Sequence, residues 1–94
     1  MDYKCEKAKF QSGRIVATRG LLAVISEEDI RSALSRHLSG DWGELPKEDR
    51  VSNGKALKEG DRLLSSYTSS NKVKFWIITE WDRSATTVLL PEEY

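Results

Sequence analysis

The sequence has very few of the residues with which small proteins bind metals or form cross-links. Its 94 residues include one cysteine, Cys5, and one histidine, His37. A lone cysteine forms no intramolecular disulfide. One thiol and one imidazole also fall short of the three or four protein ligands that zinc takes. We therefore expect no metal, and a single domain (1–94) whose stability comes from one modest apolar core.

An excess of charge of either sign is also missing. Fifteen Lys and Arg residues balance fifteen Asp and Glu residues, so the formal net charge is zero. Such a chain lacks the long-range field that favours nucleic-acid or anionic membrane binding, and copies of it repel each other little. No apolar run reaches the roughly 18 residues of a membrane span, and residues 1–10 contain no apolar signal segment. We expect a cytoplasmic protein with a protein partner or a homodimer, and with neither nucleic acid nor membrane as its partner.

No glycine-rich phosphate loop occurs in the chain. The tetrapeptide Gly40-Asp41-Trp42-Gly43 places an acid and an indole where such a loop needs backbone amides and a lysine. We therefore expect no nucleotide and no other cofactor. The tetrapeptide does hold a large aromatic side chain in a tight loop, where Trp42 either covers the core or anchors a partner.

Hydrophobic periodicity predicts an α+β fold. Two segments have apolar residues at helical spacing, and the last third alternates with the period of two that strands show. We predict a four-stranded, mainly antiparallel sheet with two helices on one face, in the order β-α-α-β-β-β, after a disordered start at 1–8. The predicted strands are 13–18, 62–68, 73–80 and 85–90, with a glycine turn at Gly20, a short helical turn in 21–25, and helices at 26–39 and 46–58.

The strand at 73–80 is apolar on both faces. Phe75 and Ile77 alternate with Trp76 and Ile78. A strand of this kind is typically central, with helices over one face and a loop or partner over the other. A chain of this length has little material left for the second face. This strand is therefore the main sequence evidence for a protein-binding surface.

Three tryptophans, Trp42, Trp76 and Trp81, are more than so thin a core requires. Tryptophan is enriched among the anchors of protein interfaces. We predict that one of the three is exposed and binds a partner, with Lys74 and Arg83 as the polar rim of that surface.

Catalytic residues are not predicted. His37 falls on the apolar stripe of its helix near the C-terminal end, a position typical of a structural histidine. Two pairs of carboxylates, Asp41 with Glu44 and Glu80 with Asp82, lie next to turns, where exposed charge is common.

Several segments resemble a known family. They are Gly40-Asp41-Trp42-Gly43, residues 62–65, residues 76–84 and residues 86–94. The resemblance runs from about Arg14 to Tyr94, and it is to small uncharacterised proteins of plasmids and other mobile elements. Some of these carry labels such as plasmid-related protein or type I restriction subunit M, although this chain is too short for a methyltransferase domain. The resemblance implies the company of genes that act against host defence or maintain the element, and it brings no catalytic residues. Together with the two-sided apolar strand and the tryptophans, it leads us to expect a non-enzymatic protein-binding module, with inhibition of host defence of the anti-CRISPR or anti-restriction type as the leading hypothesis.

The predicted order of elements also resembles ribonuclease toxins of the RelE type. Such toxins act on messenger RNA with basic and aromatic side chains on a sheet. The corresponding candidates here are Arg62, Arg83, Glu80 and Tyr67. The neutral net charge and the single histidine argue against this alternative, so we favour a non-enzymatic module.

Overall fold

The computed structural model describes residues 6–94 and has the α+β fold that the periodicity predicts. Cys5 and most of the segment predicted to be disordered, 1–8, lie outside the described residues. Most predicted elements are present, with their ends shifted by one or two residues. The elements are β1 (Arg14–Ala17), α1 (Arg19–Val24), α2 (Glu27–Leu38), α3 (Lys47–Glu59), β2 (Leu63–Thr68), β3 (Lys74–Thr79), β4 (Ala85–Leu89) and a final 3-10 turn (Pro91–Glu93).

The four strands form one sheet in the order β1-β4-β3-β2. The meander from β2 to β4 is antiparallel, whereas β1 lies parallel to β4, so the sheet is mixed. The strand predicted to be central, β3, is an inner strand between β2 and β4. The first and second strands of the chain therefore form the two edges of the sheet.

The chain differs from the prediction at Gly20, which lies inside the short helix α1 and does not form a turn. The helix begins here with Thr18 as its N-cap. The Thr18 hydroxyl accepts a hydrogen bond from the Leu21 amide at 3.3 Å. A Cβ at position 20 would lie 2.5 Å from a carboxylate oxygen of Glu93, so a larger residue here would displace the end of that side chain.

Helix α2 has the start and the apolar face that its sequence predicts. The Ser26 hydroxyl accepts from the Asp29 amide at 3.2 Å, and three acids occupy the first turn. Ile30 and Leu34 on its inner face are fully buried. Helix α3 ends at Gly60, whose φ of 77° is left-handed, and it buries only Asn53 and Ala56.

The helices cover one face of the sheet and bury two apolar clusters there. The larger cluster lies between α1, α2 and the sheet, and the smaller one lies under α3. The sheet contributes Phe75, Ile77 and Val88 to the larger cluster and Leu63 to the smaller one. All four side chains alternate onto the same face, which we call the helix side.

The outer edge of β2 is closed by a side chain of α3. Asn53 is 5% exposed. Its Nδ2 donates to the Leu64 carbonyl at 2.6 Å, and its Oδ1 accepts from the Leu64 amide at 3.3 Å. One amide side chain thus satisfies both backbone groups that Leu64 directs away from β3, as a neighbouring strand would.

The loop before α3 closes the same edge one step further along β2. The Glu44 amide donates to the Ser66 carbonyl at 2.8 Å, and the Ser66 amide donates to the Trp42 carbonyl at 3.3 Å. Gly43 makes this approach possible: its φ is 73°, and a Cβ on it would lie 2.0 Å from the Ser66 carbonyl oxygen. No side chain fits there.

Candidate protein-binding surface

The sheet face opposite the helices carries an apolar concavity, and we call this face the open face. On β3 the side chains of Lys74, Trp76 and Ile78 point to it, because their neighbours Phe75 and Ile77 point to the helix side. The concavity has a volume of about 310 Å³. Its lining residues are Arg62, Leu64, Trp76, Ile78 and Tyr94.

Strand register and the chain end together build this concavity. Leu64 of β2 pairs with Ile78 of β3, which places the two side chains side by side on the open face. The 3-10 turn after β4 then brings Tyr94 back over the sheet. Its ring meets the Trp76 ring edge to face at 5.8 Å, and the Arg62 guanidinium lies 5.0 Å from the Tyr94 ring centre.

The chain covers part of the open face with its own residues. Ile78 is 4% exposed and Trp76 is half-buried, so the expectation that both of these side chains need outside cover holds only for Trp76. The reason is that Leu64 and Tyr94 share the concavity with Ile78. Tyr94 itself is 66% exposed. The accessible apolar surface is therefore a pair of aromatic rings beside a shallow pocket.

Two cations flank the concavity without a carboxylate partner. The two ion pairs found among residues 6–94 are Arg31 with Glu27 and Arg36 with Asp41, both outside the open face. Arg62 and Lys74 are exposed and belong to neither pair. The open face thus combines an apolar pocket with two cations that belong to neither of these ion pairs.

Of the residues predicted to bind a partner, Trp76 and Lys74 lie on the open face. Trp81 is 66% exposed in the turn between β3 and β4, which makes it the exposed tryptophan that the sequence predicts. Arg62, Leu64 and Tyr94 complete the concavity but were not predicted as part of it. The alternation of Leu64 with the buried Leu63 could have placed it there; no local pattern indicates that Tyr94 returns to the sheet.

The position of Trp42 in its loop allows it either to cover the core or to anchor a partner, and the structure places it in the core. It is 7% exposed and belongs to the smaller apolar cluster. Its ring stacks on Phe10 with the centres 6.2 Å apart and meets His37 edge to face at 5.6 Å. Trp42 is therefore not part of the accessible surface.

Arg83 is held by backbone carbonyl groups, away from the concavity. Its Nη1 donates to the Asp61 carbonyl at 2.6 Å and to the Glu80 carbonyl at 3.0 Å, and its Nη2 donates to the Ala56 carbonyl at 3.3 Å. These bonds connect the end of α3 to the turn between β3 and β4. The Arg83 guanidinium thus satisfies carbonyl groups of the chain itself.

A buried polar network on the helix side contains the single histidine. His37 Nδ1 shares a short hydrogen bond with the Ser65 hydroxyl, and Nε2 lies 2.8 Å from the Thr79 hydroxyl. Thr79 continues to Thr86 at 2.8 Å, and Thr86 donates to the Ser12 carbonyl at 2.7 Å. Burial, with a smaller contribution from the nearby Arg83 charge, lowers the pKa of His37 to about 3.

This network is structural. A serine beside a histidine is a pair that hydrolases use as nucleophile and base. Here His37 and Ser65 are both fully buried, and the second imidazole nitrogen is bonded to Thr79. Both ring nitrogens of a neutral imidazole are thereby satisfied inside the core.

Three of the four candidates of the ribonuclease alternative lie in different surroundings, and the fourth, Glu80, is half-buried directly after β3. Tyr67 lies on the helix side, where its hydroxyl donates to the Asp41 carbonyl at 2.6 Å and burial raises its pKa. Arg62 lies on the open face, and Arg83 is bound to carbonyl groups. Asp41 and Glu44 are also engaged, by Arg36 at 2.7 Å and by the Thr68 hydroxyl at 2.9 Å.

Within residues 6–94, no group of three or more His, Cys, Asp or Glu side chains is placed to hold a metal ion. None of the helices in this part of the chain has the length and apolar character needed to cross a membrane. Comparisons with protein-family models, with curated proteins and with solved structures give no match.

Proposed function

We propose that the chain is a non-enzymatic protein-binding module whose docking surface is the open face. The observation that carries the proposal is the concavity of about 310 Å³ on the sheet face opposite α1, α2 and α3. Pockets of this size are typical of sites that take one large side chain or a small ligand. The two rings that line it, the half-buried Trp76 and the exposed Tyr94, are of residue types that are enriched among the hot spots of protein interfaces.

The charges of this surface indicate the chemistry of the partner. Lys74 and Arg62 lie on the open face and form no ion pair with a described carboxylate. A partner segment with a large apolar side chain and flanking Asp or Glu residues would fill the pocket and neutralise both cations. Such complementarity raises the association rate and fixes the register of the contact.

The biological setting that we propose comes from the resemblance of Gly40-Asp41-Trp42-Gly43 and of residues 76–94 to small proteins of mobile elements. A plasmid that enters a bacterium meets restriction and CRISPR nucleases. A small module that binds such a nuclease would act as an inhibitor by occupying a functional surface, without chemistry of its own. We therefore propose an anti-restriction or anti-CRISPR role in the cytoplasm.

The test compares two variants that carry the same charge change. Lys74→Glu reverses the charge of the open face, and Lys55→Glu does the same on the exposed surface of α3. Tagged chains are expressed in restriction-proficient and CRISPR-active bacteria, and transformation by unmodified or targeted plasmid DNA is measured. We expect the wild type and Lys55→Glu to raise transformation and Lys74→Glu to lose about tenfold of that effect.

Binding itself is measured with the same chains. The wild type and Lys55→Glu should purify in a stoichiometric complex with one nuclease component, and Lys74→Glu should not. If the wild type changes transformation in neither host, the inhibitor role is refuted. If a complex forms and both variants retain it equally, the open face is not the docking surface.

A further inference from the structure

Among residues 6–94, no strand lies beside the outer edge of β1. The amides of Arg14 and Thr18 donate to the carbonyls of Ser84 and Val88 in the β4 segment, at 3.0 and 3.1 Å. Because backbone groups alternate along a strand, Ile15 and Ala17 direct their N–H and C=O groups away from β4. No other described residue bonds to these groups. They face outward at a border of the sheet.

This edge differs from the edge at β2, where Asn53 and the loop around Gly43 occupy the outward groups of Leu64 and Ser66. In the part of the chain that the structure describes, β1 is thus the edge at which the sheet can be extended. Unpaired edges are templates for pairing with another strand. One open edge permits a closed pair of molecules, whereas two would permit a continuous array.

We propose that β1 pairs with β1 of a second copy of the chain, antiparallel about a two-fold axis beside Val16. Such a dimer has one continuous sheet made from two four-stranded halves. The outward groups determine the register. Ile15 of each copy lies opposite Ala17 of the other, and each such pair exchanges both of its N–H···O bonds. Val16 then lies opposite its own counterpart.

The side chains at this edge complement one another under that register. Val16 is 39% exposed, so the pairing covers an apolar side chain that the monomer leaves open. Arg14 lies opposite Thr18 of the second copy. The Thr18 hydroxyl is 2.6 Å from the Glu93 Oε1 atom, so this register brings Arg14 towards a carboxylate twice, once on each side of the axis.

The chain's charge also favours a second copy as the occupant. Arg14 is exposed and belongs to neither described ion pair. The net charge is zero, so two copies approach without long-range repulsion. The dimer does not rest on the proposed function, because the edge of β1 and the concavity of the open face are separate surfaces.

Cross-linking tests the register directly. In a Cys5→Ser background, Val16→Cys places the new thiol beside the two-fold axis, where opposed Cβ atoms lie about 5 Å apart. Val24→Cys is the matched control on α1, since Val24 is 43% exposed. Under mild oxidation we expect Val16→Cys to form the covalent dimer about tenfold faster than the control, because a disulfide needs this proximity. Equal rates would overturn the proposal.

Sedimentation of the uncross-linked chain over a range of concentrations gives the second test. The wild type should shift from monomer to dimer. Ala17→Pro should remain monomeric with an unchanged circular dichroism spectrum, because proline removes an outward amide that β4 does not use. Should that variant lose its fold, Arg14→Glu is decisive: we expect it to weaken the dimer about tenfold, and Arg50→Glu on α3 to leave it unchanged.

The remaining outcomes are equally informative. A wild type that sediments as a monomer at every concentration overturns the proposal. A dimer that Ala17→Pro and Arg14→Glu leave intact, but that Lys74→Glu weakens, would assign self-association to the open face and also overturn it. Loss of the dimer with nuclease binding retained, or the converse, separates this proposal from the proposed function.

Discussion

The sheet has a closed region and an open region. They differ in whether polar groups have hydrogen-bond partners and whether apolar groups are buried. The closed region comprises the helix side and the edge of β2, where even the buried His37 and Asn53 have partners for their polar atoms. The open region comprises the open face and the edge of β1, where the Tyr94 ring and the Ile15 backbone groups face outward. If the open region binds partners as we propose, one four-stranded sheet has stability on one side and recognition on the other.

The largest effect is expected for Gly43→Ala in the closed region. A Cβ at this position would lie 2.0 Å from the Ser66 carbonyl oxygen and 2.8 Å from the Tyr67 ring, at a φ of 73°. We expect the free energy of unfolding to fall by about 3 kcal/mol or more, since the clash and the backbone strain act together. Urea unfolding measures this.

The control is Gly60→Ala, which has a similar φ of 77° but nothing within 4 Å of the added Cβ. This change should cost only the conformational strain, about 1 kcal/mol. Equal losses for the two variants would show that the loop does not press against β2 as described.

The next largest effect is a pH dependence of the free energy of unfolding, which comes from His37 in the closed region. The unfolded chain protonates its imidazole near pH 6.5, whereas the buried imidazole stays neutral until its pKa of about 3. Between these values the unfolded state binds more protons, so the stability is fully present above pH 6.5 and is lost as the pH falls. The slope for one group is about 1.4 kcal/mol per pH unit, or about 2 kcal/mol from pH 6.5 to 5.

Urea unfolding at several values between pH 5 and 6.5 measures this slope, because the carboxylates stay ionised there. His37→Gln has no group that titrates in this window and should show a flat profile at a lower overall stability. A wild-type profile as flat as that of the variant would mean that the imidazole is protonated in the folded protein.

A smaller loss is expected when the edge of β2 is opened. Asn53→Ala removes both hydrogen bonds to Leu64 and leaves its amide and carbonyl without a partner in the chain. We expect a loss of about 1.5 kcal/mol, as is typical for buried hydrogen-bonding groups. Thermal and urea unfolding measure this loss. The control is Ser52→Ala at an exposed neighbouring position on α3, which should change the free energy of unfolding by about 0.5 kcal/mol at most.

The smallest effect is expected at Trp81, in the turn between β3 and β4, which lies outside the closed region. Trp81 is 66% exposed, so Trp81→Ala should change the free energy of unfolding by less than about 0.5 kcal/mol, although it removes the largest of side chains. The contrast is Leu63→Ala on the helix side, where a fully buried side chain is truncated and about 3 kcal/mol should be lost. A loss above about 1 kcal/mol for Trp81→Ala would remove the distinction between the two regions.

Local patterns predicted much of this fold. Helix α2 follows from Ser26 with its acidic first turn, and β3 follows from the alternation around Phe75 and Trp76, because both signals lie within a few residues. The same patterns placed Trp76 and Lys74 on one face. The exposed tryptophan was also predicted, but which of the three it would be depends on packing that the sequence does not display.

The parts that were not predicted depend on contacts between distant segments. Tyr94 reaches Trp76 across 18 positions, and Asn53 reaches Leu64 across 11. The sequence predicts Arg83 as a rim charge in a turn. Only the fold brings the Ala56 carbonyl within hydrogen-bond distance of its guanidinium. The sequence predicts a turn at Gly20, whereas the fold places it inside α1 beside the carboxylate of Glu93.

The two hydrogen bonds from Asn53 to Leu64 affect how many molecules can join through their sheet edges. If the Asn53 side chain were lost, the outward groups of Leu64 at the β2 edge would be unpaired, and a further copy could begin to pair there although the loop around Gly43 still occupies Ser66. The Asn53 carboxamide and the loop around Gly43 would thus together separate a closed pair of molecules from a growing fibre. Filament formation after long incubation of Asn53→Ala, seen by electron microscopy, is the behaviour that this predicts.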